Sequence, residues 1–269
     1  MELTIHKRDD LKRGGRLVLL YSEGGIGKTT SFLLTAPEPQ LGILCEERSI
    51  TPVIEEAERV KGRKIVFDSV NVDTQDNLIE FLATNTRKFD GYKSILLDGA
   101  SSLMNLKLFG EILDEAFDSQ TEAAKSKKPI AMRSKMSPEG YGALGREMLR
   151  IIPLLGAISR QGKLVVITSL LQENPKWNRV LRAAPAFAGR FFSDNYQGEV
   201  DLIGLVEKRW VNVKSTEANP DPDPVLTYPP MVSFESPGDD FVCKWSGISP
   251  REGLKRWPLN LGKIVMFPE

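Results

Sequence analysis

Histidine is almost missing from this chain: His6 is the single one among 269 residues. No histidine-rich metal centre can be built, and general-base chemistry falls to carboxylates. Cysteine is nearly as scarce, with Cys45 and Cys243 alone, too few for a disulfide framework or a thiolate metal site. Both read as reduced thiols in a cytosolic setting. Charge of one sign is not in excess either. Lys plus Arg and Asp plus Glu stand at 36 each, so global charge points to no class of partner. No apolar run reaches the ~20 residues that span a bilayer. The first residues, MELTIHKRDD, are too polar for a secretory signal. No internal repeat is found. The expectation is a protein without a membrane segment, long enough for one α/β domain with an added subdomain or for two small domains.

What is present is organised around Leu17 to Thr30, LVLLYSEGGIGKTT. The apolar run Leu17-Val18-Leu19-Leu20 reads as a buried strand, and Lys28-Thr29-Thr30 opens a helix. Between them lies a glycine-rich turn. Strand, glycine turn, Lys-Thr and helix together are the phosphate cradle called the P-loop. Gly24, Gly25 and Gly27 let successive backbone N–H groups point inward, and the helix N-terminus adds its dipole. Ser22, Glu23, Gly24, Gly25, Ile26, Gly27, Lys28, Thr29 and Thr30 are the expected nucleotide contacts. Lys28 would reach the β- and γ-phosphates of ATP, and the Thr29 hydroxyl would hold Mg²⁺. One position departs from the full motif, which has glycine five residues before Gly27; here Ser22 stands there.

Further strand-like runs are Leu41–Cys45, Lys64–Phe67, Ser94–Asp98 and Lys163–Thr168, followed by the pair Val200–Leu205 and Arg209–Val213. Helical patterns alternate with them: 31–35, 52–61, a segment after Asp73 as N-cap, Leu103–Phe117, and a helix starting at Ser137-Pro138-Glu139 and running to Arg160. Residues 118–136 lose apolar character and read as a mobile loop. Residues 170–198 read as a long connection mixing basic and aromatic side chains. Residues 216–242 carry acids and many prolines with no Lys or Arg, and read as an exposed linker or long hairpin. Alternating strands and helices predict an α/β fold with a mainly parallel sheet covered on both faces. The predicted division is a P-loop core over 1–215 and a linker with a small C-terminal β extension over 216–269.

In such a sheet, ligands sit at the carboxyl ends of the strands. Asp98 ends Ile95-Leu96-Leu97 and is placed to hold the Mg²⁺ shell. Glu46 and Glu47 end the second run, and one of them would orient the attacking water. Thr168 and Ser169 end the fourth and could sense the γ-phosphate. Arg179, Arg182, Arg190, Lys208 and Arg209 follow that strand as candidates for an extra transition-state cation, and composition does not choose among them. Two segments have the makings of a single-strand nucleic-acid channel. Residues 125–135 hold Lys125, Lys127, Lys128, Arg133 and Lys135 with no acid between. Residues 176–192 interleave Lys176, Arg179, Arg182 and Arg190 with Trp177, Phe187, Phe191 and Phe192.

The ordered set GGIGKTT, LGILCEE, SILLDGASSL, Tyr141-Gly142, LVVITSLL, and Ala184-Pro185 to Gly189-Arg190 ahead of Val200-Asp201-Leu202 resembles the RecA-like P-loop ATPases of bacteriophages. That group includes minimal RecA-core single-strand annealing proteins. The likeness runs from about Leu17 to Val213, with a fainter continuation at Lys244-Trp245-Ser246-Gly247 and Leu261-Gly262-Lys263. It implies a RecA-like fold and an acid-x-Glu pattern at the second strand, which here reads Cys45-Glu46-Glu47 and selects Glu47 as the water-activating residue. It implies that the loops after the third and fourth strands bind single-stranded DNA. It also implies assembly as a ring or filament with ATP between subunits, and a basic finger crossing the interface, for which Arg190 is the candidate. The expected setting is the cytoplasm of a bacterial or phage-infected cell, with replication or single-strand-binding proteins as further partners. Two positions depart from the group: the fourth strand reads Thr168-Ser169-Leu170 where Thr-x-His is usual, and Ser22 stands in the P-loop. The expected function is ATP·Mg²⁺-dependent binding of single-stranded DNA in annealing or recombination. Three rivals fit the same P-loop: an ATPase that loads or remodels a protein such as a helicase, a small-molecule kinase, and a nonhydrolysing assembly protein.

Overall fold

A computed structural model describes residues 15–84, 86–118, 136–173, 175, 181–211, 225–235, 241–245 and 257–266. The apolar runs form strands β1 (Arg16–Ser22), β2 (Gln40–Leu44), β3 (Phe67–Asn71), β4 (Ser94–Asp98), β5 (Leu164–Glu173), β6 (Ala183–Pro185) and β7 (Leu202–Val211). After β7 come β8 (Val225–Ser233), β9 (Lys244–Trp245) and β10 (Trp257–Pro258). The sheet order is β10–β8–β7–β1–β5–β4–β2–β3, with β6 beside β5 and β9 beside β7. From β3 to β7 every neighbouring pair is parallel. Strands β8 and β10 then run antiparallel at one edge. This is an α/β core with a mainly parallel sheet flanked by helices, in which the P-loop strand β1 lies next to β5, and β5 next to β4.

The central strands β1, β2, β4 and the first part of β5 are buried on both faces because their side chains alternate between two cores. Leu17, Leu19 and Tyr21 of β1 enter one core with Ile95 and Leu97 of β4 and Val165 and Ile167 of β5. Val18 and Leu20 enter the other with Leu96, Leu164 and Val166. Helices α1 (Lys28–Thr35) and α2 (Thr51–Lys61) cover the second face. The first face is covered by α3 (Gln75–Ala83), by a π-helical turn Leu103–Leu108 that begins after the short α4 (Ala100–Ser102) and leads into α5 (Phe109–Asp118), and by α6 (Pro138–Ser159) and α7 (Arg190–Glu199). Helix α6 buries Leu144, Met148, Ile151, Ile152 and Leu155, the spacing of one helical face, and the Ser137 hydroxyl caps it by accepting from the Gly140 N–H at 3.1 Å. The closing helix α8 (Leu261–Met266) puts Leu261 and Ile264 into the α1 core.

Several sequence expectations differ from this architecture. The strand expected over 64–67 starts only at Phe67 and runs to Asn71 as β3, and the expected pair Val200–Leu205 and Arg209–Val213 is a single strand, β7, over Leu202–Val211. The N-cap of α3 is Thr74, whose hydroxyl accepts from Asn77 N–H at 3.2 Å, one residue after Asp73. The stretch 170–198 is not a plain connection. Strand β5 continues to Glu173, β6 folds back on it, and α7 follows, because Phe187, Phe192 and Tyr196 bury against one another with ring centroids 4.8 to 5.3 Å apart. Within 216–242, residues 225–233 form a sheet strand, since Val232 and Phe234 fill the second core. The mobile-loop reading of 118–136 falls almost wholly outside the described residues.

The sheet also fixes where α1 ends. Gln40, fully buried at the start of β2, donates from its Nε2 to the carbonyls of Ala36 at 2.8 Å, Leu33 at 3.3 Å and Phe32 at 3.4 Å. A helix leaves such carbonyls at its C-terminus; here Phe32 also accepts the Ala36 N–H at 2.9 Å and Leu33 also accepts Lys61 Nζ at 3.3 Å, so the Ala36 carbonyl leans most on Gln40. Gln40→Ala would leave the Ala36 carbonyl without this donor in the core, and we expect urea denaturation to show a loss of about 2 kcal/mol. A change below about 0.5 kcal/mol would show that the cap carries no weight.

Candidate functional site

The P-loop leaves β1 at Ser22 and reaches α1 through two glycines in the left-handed region, Gly25 at φ 75° and Gly27 at φ 97°. A Cβ on Gly27 would also stand 2.0 Å from the Tyr228 hydroxyl. A cavity of about 330 Å³ opens over this turn, lined by Gly24 to Thr30, Glu46, Arg48, Asp98, Thr168 and Ser169 among others. The carboxyl ends of β1, β2, β4 and β5 thus converge on one space.

Asp98 is its buried hub. Its Oδ2 accepts from the Thr29 hydroxyl at 2.9 Å, and its Oδ1 accepts from the Thr168 hydroxyl at 2.5 Å. Arg48 Nη2 lies 3.7 Å from Oδ2. A carboxylate and a hydroxyl within hydrogen-bond reach of each other, beside a phosphate cradle, fit the protein side of a Mg²⁺ shell. That ion takes one or two protein oxygens and completes its shell with phosphate and water. Among the described residues no cluster of three or more His, Cys, Asp or Glu offers another metal site.

Lys28 curls back over the turn. Its Nζ donates to Ser22 Oγ at 2.6 Å and sits 3.4 Å and 3.3 Å from the carbonyl oxygens of Ser22 and Glu23. The departure at Ser22 therefore has a physical content: its fully buried hydroxyl accepts from the lysine and donates to the Glu23 carbonyl at 2.7 Å. Burial pushes the Lys28 ammonium down to about 8, while Asp98 and Glu46 pull the other way.

The two glutamates after β2 part company. Residues alternate sides beyond the strand end, so Cys45 enters the core while Leu44, Glu46 and Arg48 line the nucleotide side. Glu46 Oε1 accepts from the Ser102 hydroxyl at 3.2 Å, and its Oε2 is 2.6 Å from Arg48 Nε. Glu47 is exposed and is not part of the cavity lining. The structure thus brings Glu46, rather than Glu47, to the P-loop, and Arg48 with it. Sequence reasoning missed Arg48, although the two-residue alternation from Leu44 could have found it.

Other sequence-chosen residues lie elsewhere. Arg190 starts α7, away from the cavity, with its Nε donating to Asp194 Oδ2 at 2.9 Å. Arg182 lines a separate cavity of about 620 Å³ with Glu23, Lys208 and Trp210. Lys125, Lys127, Lys128, Arg133, Lys135, Lys176, Trp177 and Arg179 lie outside the described residues. Phe187 and Phe192 are core, while Phe191 is exposed. Burial raises both thiols, Cys45 to about 12 and Cys243 to about 11, so neither is a ready nucleophile. From the C-terminal side, the Tyr228 hydroxyl donates to the Gly27 carbonyl at 2.6 Å and lies 3.3 Å from Ser31 Oγ. Strand β8 is thereby tied to the P-loop. No helix among the described residues is long and apolar enough to cross a membrane.

A mainly parallel sheet, a P-loop over α1 and a buried acid at the end of β4 define a P-loop nucleotide-binding protein. Residues 15–220 match the family model described as an AAA domain, and the chain belongs to that family of P-loop ATPases. Among solved structures, the KaiC-like protein from the hyperthermophilic archaeon Pyrococcus horikoshii OT3 is similar at 14% identity with a TM-score of 0.34, over 81% of this chain and 85% of that one. A search of curated proteins finds no match.

The depressed Lys28 pKa carries a sign. Free Lys28 loses its proton around pH 8, and phosphate would restore the ordinary value. Binding ATP at pH 9 should therefore take up on the order of one proton, and affinity should fall as pH rises above about 8. Calorimetry in buffers of different ionisation enthalpy reads this directly. A binding heat that does not vary with the buffer at pH 9 would contradict it.

Proposed function

We propose that this protein hydrolyses ATP in the cavity over the P-loop and uses the cycle to bind and release single-stranded DNA. The observation that carries the hydrolytic part is the placement of Glu46 beside Lys28, Thr29 and Asp98 in one cavity. The reaction is in-line attack of water on the γ-phosphorus, breaking the β–γ phosphoanhydride to give ADP and phosphate. Lys28 leaves Ser22 to neutralise charge on the phosphate oxygens, and the P-loop N–H groups do the same for the β-phosphate. Glu46 orients the water and accepts its proton. Ser102 and Arg48 hold its two oxygens, so the carboxylate is aimed before substrate arrives. Thr29 and Asp98 would hold Mg²⁺, which supplies Lewis-acid polarisation of the phosphates when bound. Thr168 keeps the Asp98 carboxylate in place.

The nucleic-acid part rests on composition: the basic run 125–135 and the basic, aromatic run 176–192 flank helix α6 and strand β5 in sequence. Self-association through the nucleotide face belongs to the same reading. So does a trans-acting cation from Arg182, Arg190, Lys208 or Arg209.

Steady-state phosphate release separates the glutamates. Glu46→Gln should lower kcat by ~10²-fold or more with nucleotide binding retained, and Glu47→Gln should change it less than about threefold. The reverse ranking would return the water-orienting role to Glu47. No phosphate release by the wild type with ATP bound would replace hydrolysis with a nucleotide-dependent assembly role.

A further inference from the structure

Two exposed aromatic rings share one groove on the carboxyl side of the sheet. Tyr141 of α6 is 39% exposed and Phe191 of α7 is 46% exposed. With Arg190, Gln172, Gly189 and Pro138 they line a groove of about 600 Å³. Helix α6 leads into the start of β5, so its own N-terminus, which carries Tyr141, lies at the carboxyl end where β5 finishes. The rings are held in place. Tyr141 packs edge-on against Phe109, centroids 6.1 Å apart, and lies against Gly189, where an added Cβ would stand 3.5 Å from its Cδ1. Phe191 lies over Gly145, where a Cβ would be 3.0 Å away. At 145 the absence of a side chain is what lets the Phe191 ring approach so closely.

Large apolar rings half out of water cost free energy unless something covers them. The surroundings select the cover. In sequence, the basic run Lys125 to Lys135 precedes α6 and the run from Lys176 to Arg182 follows β5, so the chain is rich in cations on either side of the elements that carry the rings. At the groove itself Arg190 is exposed. Its partner Asp194 is an exposed ion pair of small net worth, from which a phosphate oxygen can draw the guanidinium. Planar rings with a cation beside them suit a base and its phosphate.

We infer that the Tyr141–Phe191 groove is a base-stacking subsite for single-stranded nucleic acid, with Arg190 as its phosphate contact. This rests on the DNA-binding reading above. It gives Arg190 a place that its distance from the P-loop cavity leaves open. One strand borders both the groove and that cavity. Strand β5 carries Thr168, bonded to Asp98, then Leu170, which lines the cavity, and then Gln172, which lines the groove.

The test is anisotropy of a labelled oligo-dT strand with the full chain, with and without an ATP analogue. Wild type is compared with Tyr141→Ala, Phe191→Ala, Arg190→Gln and the ring-retaining Tyr141→Phe, with melting temperatures and nucleotide affinity measured alongside. Each alanine variant and Arg190→Gln should weaken DNA binding by about tenfold, with Tyr141→Phe close to wild type and nucleotide affinity unchanged in the Tyr141 and Phe191 variants. If wild type binds and the alanine variants bind equally well, the subsite is refuted while the DNA reading stands. If wild type binds no strand in any nucleotide state, both fail. Loss of self-association in the alanine variants, with DNA binding intact, would assign the groove to a second copy of the chain and overturn the proposal.

Discussion

The buried carboxylate of Asp98 is the constraint on which the site depends. It ends a fully buried strand, and a charge there is tolerable only when its oxygens are satisfied. Thr29 and Thr168 satisfy them, one from the helix after the P-loop and one from the neighbouring strand. The same two bonds tie α1, β4 and β5 together at the carboxyl edge of the sheet. Removing either hydroxyl would loosen the geometry of the phosphate cradle and not only a metal ligand.

The P-loop is held under tension of a second kind. Lys28 is drawn out of water, which depresses its affinity for a proton. Without phosphate the ammonium rests on Ser22 Oγ. Serine at that position gives the lysine a neutral acceptor in place of a bare backbone turn. On the far side of the loop, the Tyr228 hydroxyl fixes the Gly27 carbonyl from an antiparallel strand added at the edge of the sheet. The C-terminal part of the chain is thus mechanically joined to the nucleotide site.

Much of this was legible in the sequence. The P-loop, Asp98 and Thr168 follow from one rule, that polar residues ending apolar strands gather at the carboxyl edge of a parallel sheet. The choice between Glu46 and Glu47 was not legible from the family pattern, because it turns on the side to which the chain alternates after Leu44. Burial of Cys45 settles that side. Strand β8 was hidden because its prolines and neighbouring acids read as linker, while the burial that makes it a strand comes from Phe234 and Val232 meeting a distant core. Tyr141 was unremarkable as a helix residue, and only the fold brings it beside Phe191.

The most direct measurement is a structure of the protein with a nonhydrolysable ATP analogue and Mg²⁺. The account predicts that Lys28 has left Ser22 for the β- and γ-phosphates, that the ion sits on the Thr29 hydroxyl with Asp98 behind it, and that Glu46 faces the γ-phosphate while Glu47 points to solvent. A nucleotide bound elsewhere, or a Lys28 still resting on Ser22 with phosphate in the cradle, would contradict it.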